Sequence, residues 1–279
     1  MKVVETVSEM QGTSTCWRQK SLKVGVVPTM GALHAGHLSL IDEIRPFVDR
    51  IVVTLFVNPT QFGENEDIGR YPRTFEADKA ACENKGVDAL FFPSNEEMYG
   101  STASTWVTED SISQDYCGTG RPGHFRGVTT VVTKLFNVVL PDVAIFGEKD
   151  FQQLQVLRRM TRDLHFPIKI LGGPIIREKS GLAMSSRNEY LEPLMRKSAG
   201  IIFQSMNEAS EKVKMGLFDL SQAKEYIRKQ IASVGGEPAY IEVVDKETLE
   251  PISCPDAESR CLVAALFGST RLLDNIDFS

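Results

Sequence analysis

The chain predicts an α/β fold, a doubly wound parallel sheet followed by a smaller α+β domain. Two observations predict it. Short runs rich in Val and Ile alternate with helical periodicities through the first 173 residues, and strands alternating with helices build parallel sheets. After Gly172-Gly173-Pro174 the order changes to helices followed by strands. The expected domains are therefore 1–173 and 174–279.

Residues 24–27 are apolar and end at Pro28, as a buried strand does. Leu38, Ile41 and Ile44 lie at helical spacing, and Pro46 should end that helix because it lacks an amide donor and clashes with the preceding turn. Residues 51–57 read as a second buried strand broken by Asn58-Pro59. A helix over 74–85 with Gly86 as its C-cap leads into a third strand at 89–92. Residues 127–139 are apolar at helical spacing, 143–146 form a short strand, 151–164 a helix and 168–171 another strand. In the second domain, helices are expected over 194–215 and 220–234, and strands over 240–244 and 260–266.

Bulk properties narrow the function. A chain of 279 residues buries enough surface to need no disulfide or metal staple. The composition, 42% hydrophobic and 24% charged, is that of a globular protein. A net charge of −6 argues against a nucleic-acid partner, which needs a basic face, but permits a local basic pocket for a small anion. No apolar run approaches the ~18 residues a membrane helix needs, and no signal peptide is evident, so a cytoplasmic location is expected. The five cysteines show no metal or disulfide pattern and read as small buried apolar residues.

Four motifs carry chemistry. The first is PTMGALHAGHLSL, 28–40, where a strand ends, a glycine turn follows, and His34 and His37 stand three apart at a helix start. Residues three apart share a helix face, and the amides of a helix N-terminus attract anions. Gly31 and Gly36 permit close backbone approach. Two imidazoles there can hydrogen-bond a phosphate. Zinc is disfavoured, since no third ligand lies near and the chain has only four histidines. The second motif is FVNPTQF, 56–62, after the second strand, where Gln61 offers a donor and an acceptor. The third is FGEKDFQQLQ, 146–155, in which Lys149 supplies a compact cation suited to phosphate and Asp150 can cap the helix or accept from ribose hydroxyls. Gln153 follows one turn on. The fourth is REKSGLAMSSRNEYL, 177–191, a glycine-containing loop presenting Met184, Ser185, Ser186 and Arg187 as a triphosphate clamp.

A histidine, two residues and a histidine after a first strand resemble the nucleotidyltransferase superfamily, relatives of the class I aminoacyl-tRNA synthetases. The fuller PTMGALHAGH resembles the pantoate–β-alanine ligases, and the likeness runs on to GSTRLLDN at 268–275. The resemblance implies a Rossmann-like fold whose residues 1–173 bind nucleotide and pantoate and whose residues 174–279 serve as a lid. It implies an enzyme that condenses (R)-pantoate with β-alanine, using ATP as substrate with Mg²⁺ and passing through a pantoyl adenylate. His34, His37 and Lys149 would be catalytic. The ATP site would comprise Met30, Gly31, Ala32, Leu33, His34, Ala35, Gly36, His37, Gly147, Glu148, Lys149, Asp150, Ile176, Met184, Ser185, Ser186 and Arg187. Gln61 and Gln153 would bind pantoate, and Gln61 also β-alanine. No protein-bound metal is implied, although Asp67 could help hold Mg²⁺ through water. A homodimer is implied. His37 either transfers a proton or stabilises phosphate charge, and the sequence leaves both open. Three rivals remain: a nucleotidyltransferase acting on a phosphorylated alcohol, a tRNA-linked synthetase fragment, and a non-catalytic nucleotide binder.

Overall fold

The computed structural model describes residues 1–63 and 66–278, excepting the side chain of Asp67. The expectation that Asp67 assists Mg²⁺ therefore falls outside what is described. Two compact units divide the described chain, one of residues 1–148 and 152–174, the other of 149–151 and 175–279.

Among the described residues, the first unit carries a six-stranded parallel sheet of β1 (Lys2–Val4), β2 (Val24–Thr29), β3 (Arg50–Leu55), β4 (Ala89–Phe91), β5 (Val143–Gly147) and β6 (Lys169–Gly173) in the order β1-β4-β3-β2-β5-β6. Its helices are α1 (Val7–Gln19), α2 (Ala35–Ile44), α3 (Phe75–Asn84), α4 (Asn95–Tyr99), α5 (Cys117–Gly120), α6 (His124–Val139) and α7 (Phe151–Asp163). Side chains alternate across the sheet. Val26, Val52 and Ala144 share a core with α1, α6 and α7, while Val27, Val53 and Ile145 pack with Leu40, Ile41 and Ile44 of α2. Burial on both faces explains why these strands read as unbroken apolar runs. Each large side chain so buried contributes roughly 1.5–3 kcal/mol.

The chain leaves β2 toward β3 and β4, then returns to place β5 on the other side of β2. The winding reverses between β2 and β5. In open parallel sheets the crevice beyond the carboxyl ends at such a point is where ligands bind. Because β3, β2 and β5 are adjacent and parallel, the three motifs that follow them begin at one edge.

The second unit packs α9 (Ile201–Lys214) and α10 (Leu220–Ser233) on a three-stranded antiparallel sheet of β7 (Gly236–Asp245), β8 (Ser259–Phe267) and β9 (Thr270–Asp277). Its core joins Ile202, Met206, Ile227 and Ile231 to Val243, Val263, Phe267 and Phe278.

Several expectations need correction. The stretch 194–215 is two helices, α8 (Pro193–Ser198) and α9, parted at Ala199-Gly200; glycine is a poor helix former, and a side chain at Gly200 would strike the Ser180 carbonyl. Strands β1 and β9 and helix α1 were not expected. The strand expected over 168–171 runs from Lys169 to Gly173 as β6. Cys82, Cys117 and Cys261 are buried as expected, and burial beside Asp78 and Glu83 pushes the Cys82 thiol up to about 12. Cys16 and Cys254 are exposed instead, Cys16 because it faces outward on α1. No helix among the described residues is long and apolar enough to cross a membrane.

Candidate active site

In the first unit the site begins where β2 ends. Gly31 has φ +90° and Ala32 φ +52°, so the backbone makes a left-handed turn that glycine enters without steric cost. The buried Asp78 of α3 holds this turn. Its two carboxylate oxygens accept the amides of Ala32 (2.9 Å) and Leu33 (2.8 Å), and Thr74 Oγ1 donates to it at 3.1 Å. Thr29 Oγ1 accepts from Gly31 N and donates to the Thr54 carbonyl, tying the turn to β3.

His34 is the N-cap of α2, and its Nδ1 accepts the Gly36 amide at 3.1 Å. His37 Nδ1 accepts the His34 amide at 3.4 Å. Two histidines thus do the work that Ser and Glu do in a capping box. Their rings stack with centroids 4.0 Å apart. A ring nitrogen that accepts a hydrogen bond carries no proton, so each neutral ring bears its proton on Nε2 and is a donor there.

Gln61 closes the one-turn helix 59–61 that follows β3. Its Nε2 lies 3.1 Å from Met30 Sδ, and its Oε1 accepts from Asn58 Nδ2 at 3.1 Å. The structure therefore joins the first and second motifs directly. Asn58 also donates to the Gly127 carbonyl (3.1 Å) and accepts from Tyr99 OH (2.7 Å). Burial pushes the Tyr99 hydroxyl above its ordinary value, against the pull of its Thr60 and Asn58 hydrogen bonds. His124 Nδ1 lies 2.8 Å from the Gln61 carbonyl, and Arg121 bridges His124 Nε2 (2.9 Å) and the Glu66 carboxylate (2.6 Å). Gly147 and Glu148 leave the end of β5. Gln153 is half-buried on α7, whereas its neighbour Gln152 is buried and pins the 112–117 loop through the Ile112 and Asp115 carbonyls and the Cys117 amide.

The second unit carries residues 149–151 of the third motif and all of the fourth, 177–191. Lys149 and Asp150 lie on the turn before α7, with Lys149 Nζ 3.6 Å from Asp150 Oδ1. Residues 176–184 form a tight hairpin in which Met184 N donates to the Ile176 carbonyl at 2.9 Å. Ser185 caps the one-turn helix Ser186–Tyr190, accepting from Arg187 N at 3.3 Å. Asn188 fastens the end of this loop to the Ala183 carbonyl and to Glu178, which Arg196 also grips with Nε and Nη2. Burial would push the Glu178 carboxyl up, but the Arg196 and Asn188 hydrogen bonds outweigh it and hold the group below the usual carboxylate range. No group of three His, Cys, Asp or Glu positioned for a metal occurs among the described residues.

Asp78, Asn58, Glu178 and Asn188 were not singled out for the site from the sequence. Asp78 reads there as an acidic residue in the first turn of a helix, an ordinary surface position, and only the fold turns it toward the glycine turn. Replacing it tests its role. Asp78→Asn keeps the shape but sets an amide donor against a backbone donor, which should cost about 1–3 kcal/mol. We expect a lower melting temperature together with a KM for ATP raised about tenfold; unchanged steady-state kinetics would show the turn to be held without Asp78.

Comparisons with known proteins match almost the whole chain. A family model described as pantoate-beta-alanine ligase matches residues 2–277. The pantothenate synthetase of Sulfurihydrogenibium sp. is 48% identical over 280 residues, covering 100% of both chains. The crystal structure of the Thermus thermophilus pantothenate synthetase has a TM-score of 0.93 at 42% identity and covers 100% of this chain and 99% of that one. A pantoate-beta-alanine ligase from Francisella tularensis, solved with β-γ ATP and β-alanine, has a TM-score of 0.83 at 31% identity, covering 99% of this chain and 97% of that one. With a family model over residues 2–277 and relatives 48% and 42% identical across its whole length, the chain belongs to the pantoate–β-alanine ligase family.

Proposed function

We propose the following course for the ATP-dependent condensation of pantoate with β-alanine that this chain carries out as a member of its family. The pantoate carboxylate attacks the α-phosphorus of MgATP, forming a P–O bond as pyrophosphate leaves. The amine of β-alanine then attacks the acyl carbon of pantoyl adenylate, AMP leaves, and the amine gives up a proton. A carboxylate is already a nucleophile, so the first step requires alignment and charge neutralisation rather than a base.

The observation that carries this reading is the histidine pair capping α2. With both Nδ1 atoms accepting backbone amides, His34 and His37 act as Nε2–H donors to phosphate oxygens. That arrangement favours charge stabilisation over proton abstraction as the role of His37. Met30 to His37, together with Gly147 and Glu148, line the nucleotide. Lys149 neutralises the triphosphate, Asp150 accepts from the ribose, and Ile176 and Met184 with Ser185, Ser186 and Arg187 hold the nucleotide and its phosphates. Gln61 binds pantoate and β-alanine, and Gln153 binds pantoate. Residues 1–173 supply the pantoate site and the histidines, and residues 174–279 the serine–arginine loop. Mg²⁺ arrives on the triphosphate. The same reading gives a cytoplasmic homodimer.

The test is isotope exchange. With pantoate, MgATP and labelled pyrophosphate but no β-alanine, label should enter ATP, because a bound adenylate can be attacked by pyrophosphate in reverse. A concerted three-substrate reaction gives no exchange until β-alanine is added. A phospho-alcohol nucleotidyltransferase exchanges only with its own substrate, and a passive nucleotide binder not at all. Amide formation without exchange would overturn the adenylate.

A further inference from the structure

The C-terminal string GSTRLLDN, 268–275, takes no part in the chemistry assigned above, yet the structure gives its last residue a definite task. Asn275 lies on β9 and is 2% exposed. Its Nδ2 donates to the backbone carbonyl of Lys149 at 3.0 Å. Its Oδ1 accepts from Arg260 Nε at 2.7 Å, and its own amide donates to Asp274 Oδ1 at 2.8 Å. Arg260 is fixed in turn by Asp277 at 2.8 Å and by the ring of Phe151, whose centroid lies 4.6 Å away. The turn 149–151 is thus held at both ends of its three residues, by Asn275 at Lys149 and by Arg260 at Phe151. These three residues pack with the second unit although the chain on either side belongs to the first.

We propose that Asn275 is a positioning residue for Lys149, and that β9 thereby sets the rate of adenylate formation. The inference rests on the assignment of Lys149 to the triphosphate. A lysine side chain is long and flexible, so its ammonium can be placed reproducibly only if the backbone that bears it is fixed. Lys149 lies on a single turn preceding α7, where carbonyls have few helical partners. The buried amide of Asn275 supplies one. A purely structural asparagine would satisfy the same hydrogen bonds, but its loss would affect both half-reactions alike.

A double-mutant cycle separates the two. Asn275→Ala should lower pantoate-dependent pyrophosphate exchange about 10- to 100-fold. Capture of preformed pantoyl adenylate by β-alanine should change less than about threefold, because the triphosphate has gone by then. In a Lys149→Ala background the same substitution should cost less than about threefold further exchange, since a residue that acts through Lys149 has nothing left to position. Equal losses in both half-reactions, or fully additive losses in the double variant, would overturn the proposal. If Lys149→Ala alone leaves exchange intact, the assignment of Lys149 falls and the proposal with it, a result distinct from additivity. Should Asn275→Ala fail to fold, Asn275→Asp enters the same cycle; its carboxylate still accepts from Arg260 but has no proton for the Lys149 carbonyl, so the same pattern is expected.

Discussion

His37→Ala is expected to remain folded and to lose about 10²- to 10⁴-fold in turnover, the range for removing a group that stabilises transition-state charge. In the proposed course the first step gathers charge on the α-phosphate, and the proposal sets that charge at the start of α2, where His37 is the third residue. His37 also caps its own helix, so alanine removes two things at once: the Nδ1 acceptor for the His34 amide and the Nε2 donor. A second variant separates them. Asparagine places an amide oxygen where Nδ1 stood but has no atom at the position of Nε2. His37→Asn should therefore recover most of the roughly 0.5–2 kcal/mol that a lost cap costs, and yet be as slow as alanine. Thermal melting and single-turnover exchange measured on the two variants give the answer. If His37→Asn restores turnover along with stability, the histidine is a cap and the charge is stabilised by other groups.

A side chain at Gly127 should be nearly as damaging, and for a reason of packing. Gly127 lies in the first turns of α6 against the one-turn helix that carries Gln61. A Cβ there would drive into the Thr60 carbonyl and lie 2.7 Å from Gln61 N. Both neighbours are backbone, so no flexible side chain can yield. The same spot is tied by the hydrogen bond from Asn58 to the Gly127 carbonyl, which holds the two segments together as the new atoms force them apart. For Gly127→Val we expect a loss of about 2–4 kcal/mol in folding free energy, in the range of severe overpacking. The displaced segment carries Gln61, so KM for pantoate should rise about tenfold or more in the fraction that folds. Urea denaturation and steady-state kinetics with pantoate varied would check both. A variant with wild-type stability would mean that α6 and the Gln61 helix can separate without cost.

The histidine pair was legible because its signal is local. A strand, a glycine turn and two histidines one turn apart fall within a dozen residues, and a helix N-terminus is specified by its own neighbours. The central parallel strands β2 to β5 were legible for a similar reason: burial on both faces leaves an unbroken apolar run that needs no partner to be recognised. The Lys149 turn and the Ser185–Arg187 loop were picked out as candidates by their residue types. Helix α1 was not legible. Its sequence, VSEMQGTSTCWRQ, is poor in strong helix formers, and only Met10 and Ser14 are buried on it. Its place is fixed by distant contacts such as Arg18 with the Leu140 carbonyl and Asp142. Strand β9 was hidden because Asp and Asn are depleted from strands; here Asp274 and Asn275 are buried against Arg177 and Arg260, partners remote in sequence.

The residue types of the candidate site and the strand–helix alternation that presents them were thus legible in the sequence alone, because each depends on interactions within a few residues. What holds those residues in place was decided only by the tertiary structure. Asp78 on the glycine turn, Asn58 beside Gln61 and Asn275 behind Lys149 are all buried polar groups. A polar side chain is stable in the interior only with its partners in place, and the contacts that tie Asp78 to Leu33 and Asn275 to Lys149 span 45 and 126 residues.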